Sequence, residues 1–181
     1  MSNKLPRIAA IGGIAGLITM GGLTAVAVAT TGGQETVPVS GEGIHYFTTA
    51  VVHSQQEIET GMLQRSTDII RLTGDLDGYL LYHPTSEFDF ANQKLVNTGT
   101  QFFSGTIAGS EPMVLHDDTF RFDVDLATGQ TTGEVHLMRS KDAPDQGQWY
   151  ECHLAVTGTG MTPEGDATFT YTGHGLRRGR P

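Results

Sequence analysis

The sequence predicts an all-β domain, an antiparallel closed barrel of eight or nine strands, preceded by one N-terminal hydrophobic helix. Three observations lead there. Thr119 to Leu126 alternates strictly, with Phe120, Phe122, Val124 and Leu126 on one face and Thr119, Arg121, Asp123 and Asp125 on the other. Trp149 to Thr157 alternates the same way. That period of two belongs to a half-buried strand. The chain also carries 24 glycines among its 181 residues, spread between short apolar runs as turns and strand bends require. With almost no helix to cover a sheet, that many antiparallel strands must close or stack to hide their edges.

The first element is the apolar segment. Met1 to Arg7 is basic, and Ile8 to Ala29 runs for 22 residues without a charge. Ala25-Val26-Ala27 and Ala27-Val28-Ala29 fit the small-x-small pattern of a signal-peptide cleavage site. The same stretch is long enough for an uncleaved anchor. Residues 1–29 are therefore read as a signal peptide or membrane anchor, with cleavage before Thr30 preferred. Either reading places the domain outside the cytoplasm, secreted, periplasmic or at the cell surface, with the membrane met only through this segment. Residues 30–39 read as a linker, 40–176 as the barrel and 177–181 as a basic tail.

Within the barrel, Ile44 to Val52, Asp68 to Thr73, Gly78 to His83, Ser86 to Phe90, Lys94 to Asn97 and Gln101 to Ala108 read as strands. Thr119 to Leu126, Thr132 to Met138, Trp149 to Thr157 and a last strand around Phe169 and Tyr171 follow. Ser54 to Arg65, rich in Gln and Glu but broken by Gly61, is the only helix candidate. Lys141 to Gly147 reads as a polar hairpin loop. Repeated Thr-Gly pairs (73–74, 98–99, 128–129, 132–133, 157–158 and 172–173) read as turns. The inward positions are Phe120, Phe122, Val124, Leu126, Val135, Leu137, Cys152, Leu154, Val156, Phe169 and Tyr171.

Composition narrows function mainly by exclusion. The formal net charge is −9, which repels phosphate backbones, so no nucleic-acid partner is expected. The one cysteine, Cys152, allows neither an intrachain disulfide nor a thiolate metal site. The chain has no G-x-S-x-G elbow, no P-loop, no dinucleotide fingerprint and no H-E-x-x-H motif. Asp75 and Asp77, Asp117 and Asp118, and Asp123 and Asp125 are paired acids of the kind that turns and wet strand faces carry. His136 and His153 share a face with Glu134 and Glu151, on two strands expected to pair. The opposite faces are apolar, so this group reads as a solvated outer set, with half of a metal or acid–base site as the alternative. No metal and no cofactor are expected.

Four segments carry a resemblance. They are Leu72-Thr-Gly-Asp-Leu-Asp-Gly-Tyr79, Asn97-Thr-Gly-Thr-Gln-Phe-Phe-Ser-Gly-Thr106, His116-Asp-Asp-Thr-Phe-Arg-Phe122 and Gly158-Thr-Gly-Met-Thr-Pro-Glu-Gly165. Together, across about residues 40–176, they resemble the allene-oxide-cyclase-like and related calycin-like β-barrel proteins of bacteria. The resemblance implies an eight-stranded barrel with an apolar interior that holds a small apolar molecule, with cyclase or isomerase chemistry, and a homo-dimer or homo-trimer. A non-catalytic structural or surface-interaction domain is the alternative. An interior carboxylate would have a raised pKa and could act as acid or base. The catalytic candidates are Glu87, Asp89 and Tyr82. The ligand-binding candidates are Tyr79, Phe120, Phe122, Tyr150, Phe169 and Tyr171.

Overall fold

The computed structural model describes residues 33–139 and 149–178, the side chain of Tyr150 excepted. The apolar leader, the 141–147 loop and the end of the basic tail lie outside the described residues. Within them the chain forms β1 (Gln34–His45), a 3-10 turn at Phe47–Thr49, β2 (Val51–Ile58), β3 (Gly61–Gly74), β4 (Leu76–Asp89), β5 (Lys94–Ile107), β6 (Met113–Asp125), β7 (Thr131–Met138), β8 (Trp149–Met161) and β9 (Ala167–Arg178).

Every pairing is antiparallel, and the order is β1-β9-β8-β7-β6-β5-β4-β3, with β1 returning to β3 to close an eight-stranded barrel. Closure is possible because β3 is long. Its second half pairs with β1, from His45 opposite Ile70 to Gly41 opposite Gly74. Its first half pairs with β2, from Val51 opposite Thr67 to Ile58 opposite Gly61. The ninth strand, β2, thus lies outside the ring, and it is almost wholly exposed.

Several element boundaries differ from the sequence reading. The helix candidate at 54–65 is the β2–β3 hairpin, turning at residues 59–60. Gln and Glu favour a helix only weakly, and the edge of β3 offers their backbone a full ladder. The Gln55 side chain also donates to Gln64 across that ladder at 2.7 Å. Residues 34–39, read as linker, form half of β1 and pair with the end of β9, which takes in Arg177 and Arg178. Ile44 to Val52 is not one strand, because the 3-10 turn separates β1 from β2. Gly78–His83 and Ser86–Phe90 merge into β4. Pro84 is tolerated inside it because the β3–β4 ladder is interrupted opposite that residue, between Arg65–Thr85 and Asp68–Tyr82.

Most Thr-Gly pairs are not turns either. Residues 98–99, 132–133, 157–158 and 172–173 lie inside strands. Two of their glycines, Gly99 and Gly133, leave room for aromatic rings across the ladder, as Gly41 and Gly43 do in β1. Gly133 faces Phe122, and a Cβ there would lie 2.1 Å from the ring; Gly43, facing Phe169, would be 2.2 Å away. Gly99 faces Phe120 and Gly41 faces Tyr171 in the same way. Large rings lie flat over glycine, a packing that lets strongly curved strands keep an apolar interior.

One end of the barrel is packed solid. Leu72, Leu76, Phe103, Ile107, Leu115, Leu137, Trp149 and Cys152 are all buried there. The Tyr171 hydroxyl closes this end by accepting from the Leu76 N–H at 2.9 Å and donating to the Thr73 carbonyl at 3.0 Å. Burial pushes that phenol up to about 12 and the Cys152 thiol likewise to about 12. Among the inward positions read from the sequence, Leu126 is the departure: it is 39% exposed, at the opposite rim.

A cup with a polar floor in the open half of the barrel

The other half of the barrel is open. A cavity of about 440 Å³ enters between the end of β1, the start of β3, the end of β4, the start of β5 and the ends of β6 and β8. Its walls are mostly apolar: Ile70, Phe88, Leu95, Phe122, Val124, Val156 and Phe169, with Leu126 and Met161 near the rim. The 3-10 turn brings Phe47 and Ala50 to the cavity. Asp166 holds that turn by accepting from the Thr48 N–H at 3.1 Å and the Thr48 hydroxyl at 2.6 Å. Volume and lining match a site for one small organic molecule.

Two rows of polar groups are set by register, with His45, Ser66, Thr131 and Thr168 also on the lining. Gln64, Ser86 and Asn97 stand side by side on β3, β4 and β5, and all three line the cavity. Deeper, Asp68, Tyr82, Gln101 and Asp118 stand side by side on β3, β4, β5 and β6, between the cup and the packed end. All four are nearly inaccessible to solvent.

Each member of the deep row is held differently. The Asp68 carboxylate is 2.8 Å from His45 Nε2, and both residues line the cup. This bond selects the imidazole tautomer with its proton on Nε2, leaving Nδ1 as a lone pair. Tyr82 lies edge-on to the His45 ring, with centroids 5.0 Å apart, and stacks on Phe120 at 4.1 Å. Burial holds the Tyr82 phenol well above its usual value, and the Asp68 charge adds to that, so Tyr82 is a hydrogen-bond donor and not a base. Asp118 sits where the β5–β6 ladder slips. Its two oxygens accept from the Phe103 N–H at 3.0 Å and the Met138 N–H at 2.6 Å. Burial raises it to about 7 despite those two bonds, which act the other way. Asp68 Oδ1, Asn97 Oδ1 and both side-chain polar atoms of Gln101 are buried without a partner among the described residues.

Of the residues singled out in the sequence, Tyr82, Phe122 and Phe169 come together on the cup, and Phe120 lies directly beneath Tyr82. The others lie elsewhere. Glu87 projects from the outer face and is exposed, because β4 buries its even-numbered residues. Tyr79 is outside for the same reason, 54% exposed, with the Arg71 guanidinium 5.0 Å from its ring. Asp89 caps the following turn, accepting from the Asn92 N–H at 3.0 Å and side chain at 2.7 Å, and the Asn92 side chain lowers its pKa. Tyr171 belongs to the packed end. The Tyr150 side chain lies outside the described residues. His45, Asp68, Ser66, Ser86 and Asn97 were missed. The signal for Asp68 and Ser66 was present: extending the alternation of Leu72 and Ile70 two steps back along β3 points both inward.

No family model, curated protein or solved structure matches the chain. The closed antiparallel barrel is consistent with a calycin-like fold.

Proposed function

We propose that the protein is a calycin-like barrel that holds one small, mostly apolar molecule in its open half and acts on it as a cyclase or isomerase. The observation that carries the reading is the cup itself: about 440 Å³ with apolar walls above a row of ionisable and hydrogen-bonding groups. A barrel serving only as structure has no need of that volume, since its interior can be filled with side chains. The partnerless oxygens of Asp68 and Asn97 favour a molecule with a hydroxyl or other donor on an otherwise apolar frame. His45, oriented by Asp68, supplies a base for proton abstraction. Tyr82 supplies a neutral donor for an oxygen that gains charge. In an isomerisation the proton that His45 takes from one carbon returns to another while Tyr82 holds the oxygen. In a ring closure a hydroxyl gives its proton to His45 and attacks an epoxide carbon; the epoxide C–O bond breaks and the proton ends on the freed oxygen. The resemblance to allene-oxide-cyclase-like proteins supports the same reaction class, and the uncharged stretch at residues 8–29 supports work outside the cytoplasm.

The test uses the neutral apolar dye Nile red and the full-length chain. One saturable site per chain is expected, with dye bound at the cup excluded by Ser86→Trp. Absence of saturable binding, or binding unchanged in Ser86→Trp, would overturn the proposal. Native mass spectrometry of protein taken from its own host then identifies any retained molecule.

A further inference from the structure

We propose that the outer face of β7 and β8 is a binding site for a divalent ion of the zinc class, with His136, His153 and Glu151 as ligands. This site is on the opposite side of the barrel wall from the cup and does not depend on it.

The register builds the site. His136 on β7 is directly opposite His153 on β8. Their rings stack with centroids 3.9 Å apart and planes 30° apart. Glu151 lies two residues before His153. Its Oε2 is 3.6 Å from His136 Nε2 and its Oε1 is 3.6 Å from His153 Nε2. One ligand atom from each of the three residues lies within 4.8 Å of the others. A tetrahedral zinc ion with bonds of about 2.0–2.1 Å sets its ligand atoms roughly 3.4 Å apart. The two stacked rings must swing apart and the three ligand atoms draw together by up to roughly 1.4 Å to close on an ion.

A plain ion pair explains the arrangement less well. At 3.6 Å neither imidazole makes a proper hydrogen bond to the carboxylate. His136 Nε2 is buried and has no hydrogen-bond partner among the described residues. A buried ring nitrogen aimed at a carboxylate and a second imidazole, but bonded to neither, is in the position of a metal ligand. Two neutral imidazoles and one carboxylate are also a donor set that suits zinc, leaving a coordination position for water. His174 on β9 continues the row, opposite His153 with rings 5.2 Å apart, and backs the His153 ring without being one of the three ligands. An ion there would bind the end of β7 to the start of β8, the two strands that bracket residues 139–148.

Zn2+ and Co2+ titrations of the tag-free, full-length chain test the site. One equivalent per chain is expected, with the visible absorption of tetrahedral Co2+ and a higher melting temperature in Zn2+. His136→Gln and His153→Gln should each weaken binding by on the order of tenfold or more, while His83→Gln should leave it unchanged. Zn2+ should also protect His136 and His153 of the unmutated chain from diethyl pyrocarbonate, a readout that needs no variant. No saturable binding of either ion, unchanged binding in the doubly substituted chain, or no protection of the two rings would overturn the proposal.

Discussion

Replacing Asp118 by Asn tests the least expected feature of the interior, a carboxyl group inside an apolar barrel. Asp118 is 1% exposed and satisfies two backbone N–H groups where the β5–β6 ladder slips. Its pKa is raised from 3.8 to about 7, chiefly by burial. A raised acid is protonated in the fold while still ionised in the unfolded chain, so its stabilising contribution is fully present below about pH 4. It is lost as pH rises through about 7. Three units at about 1.4 kcal/mol each make the whole effect roughly 4 kcal/mol, of which about 3 kcal/mol separates pH ~5 from pH ~8. Asp118→Asn cannot titrate. It also sets an amide N–H against a backbone N–H, at about 1–3 kcal/mol. Urea unfolding of both proteins at several pH values should therefore show the wild-type advantage shrinking as pH rises. Asp118→Ala, which leaves both backbone groups unmet, should cost about 2–6 kcal/mol. An advantage that is flat with pH, or that grows with it, would show that the fold uses the charged carboxylate, and the account of Asp118 would fail.

Four further substitutions probe the packed end, the polar row and the cup in turn. Leu137 is fully buried at the packed end, so Leu137→Ala should cost about 2–5 kcal/mol in urea unfolding; a loss below ~1 kcal/mol would show that this end is not packed. Gln101 is fully buried with both polar atoms unpartnered, so Gln101→Met should raise stability by about 1–2 kcal/mol, and a clear loss would mean that the amide is satisfied. His45→Gln and Tyr82→Phe should each lower turnover of a molecule identified from the host by on the order of 100-fold while leaving Nile red binding within about threefold; equal loss of binding and turnover would reduce both to shape.

The fold was legible where periodicity is long and clean. β6 and β8 announce themselves through alternations that needed no knowledge of their neighbours. The β2–β3 hairpin was not legible, because Gln55, Gln56, Glu57 and Glu59 have helical propensity and only the free edge of β3 decides the matter. Thr-Gly pairs misled for a related reason. Glycine is chosen at Gly133 because Phe122 lies over it, and that partner is 11 residues away. A turn and a ring-covered glycine look alike until the register is known. Glu87 was among the catalytic candidates and Asp68 was not, whereas β4 faces Glu87 outward and β3 faces Asp68 inward.

The polar row shows why the site was harder to find than the fold. Asp68, Tyr82, Gln101 and Asp118 are 14, 19 and 17 residues apart along the chain, and no local pattern groups them. Three antiparallel registers bring them side by side. The row also runs against the rule that built the rest of the interior. Each unmet buried polar atom costs about 1–3 kcal/mol, and Gln101 has two and Asp68 one. A barrel under selection for stability alone would replace them with leucine and valine, as it does at the packed end. Local violations of packing that persist in an otherwise consistent fold are expected where function demands them. The row marks the level at which the interior changes from filled to open. Asp68 lines the cup, so the cost of its unmet oxygen falls where a bound molecule could repay it, by supplying the missing donor.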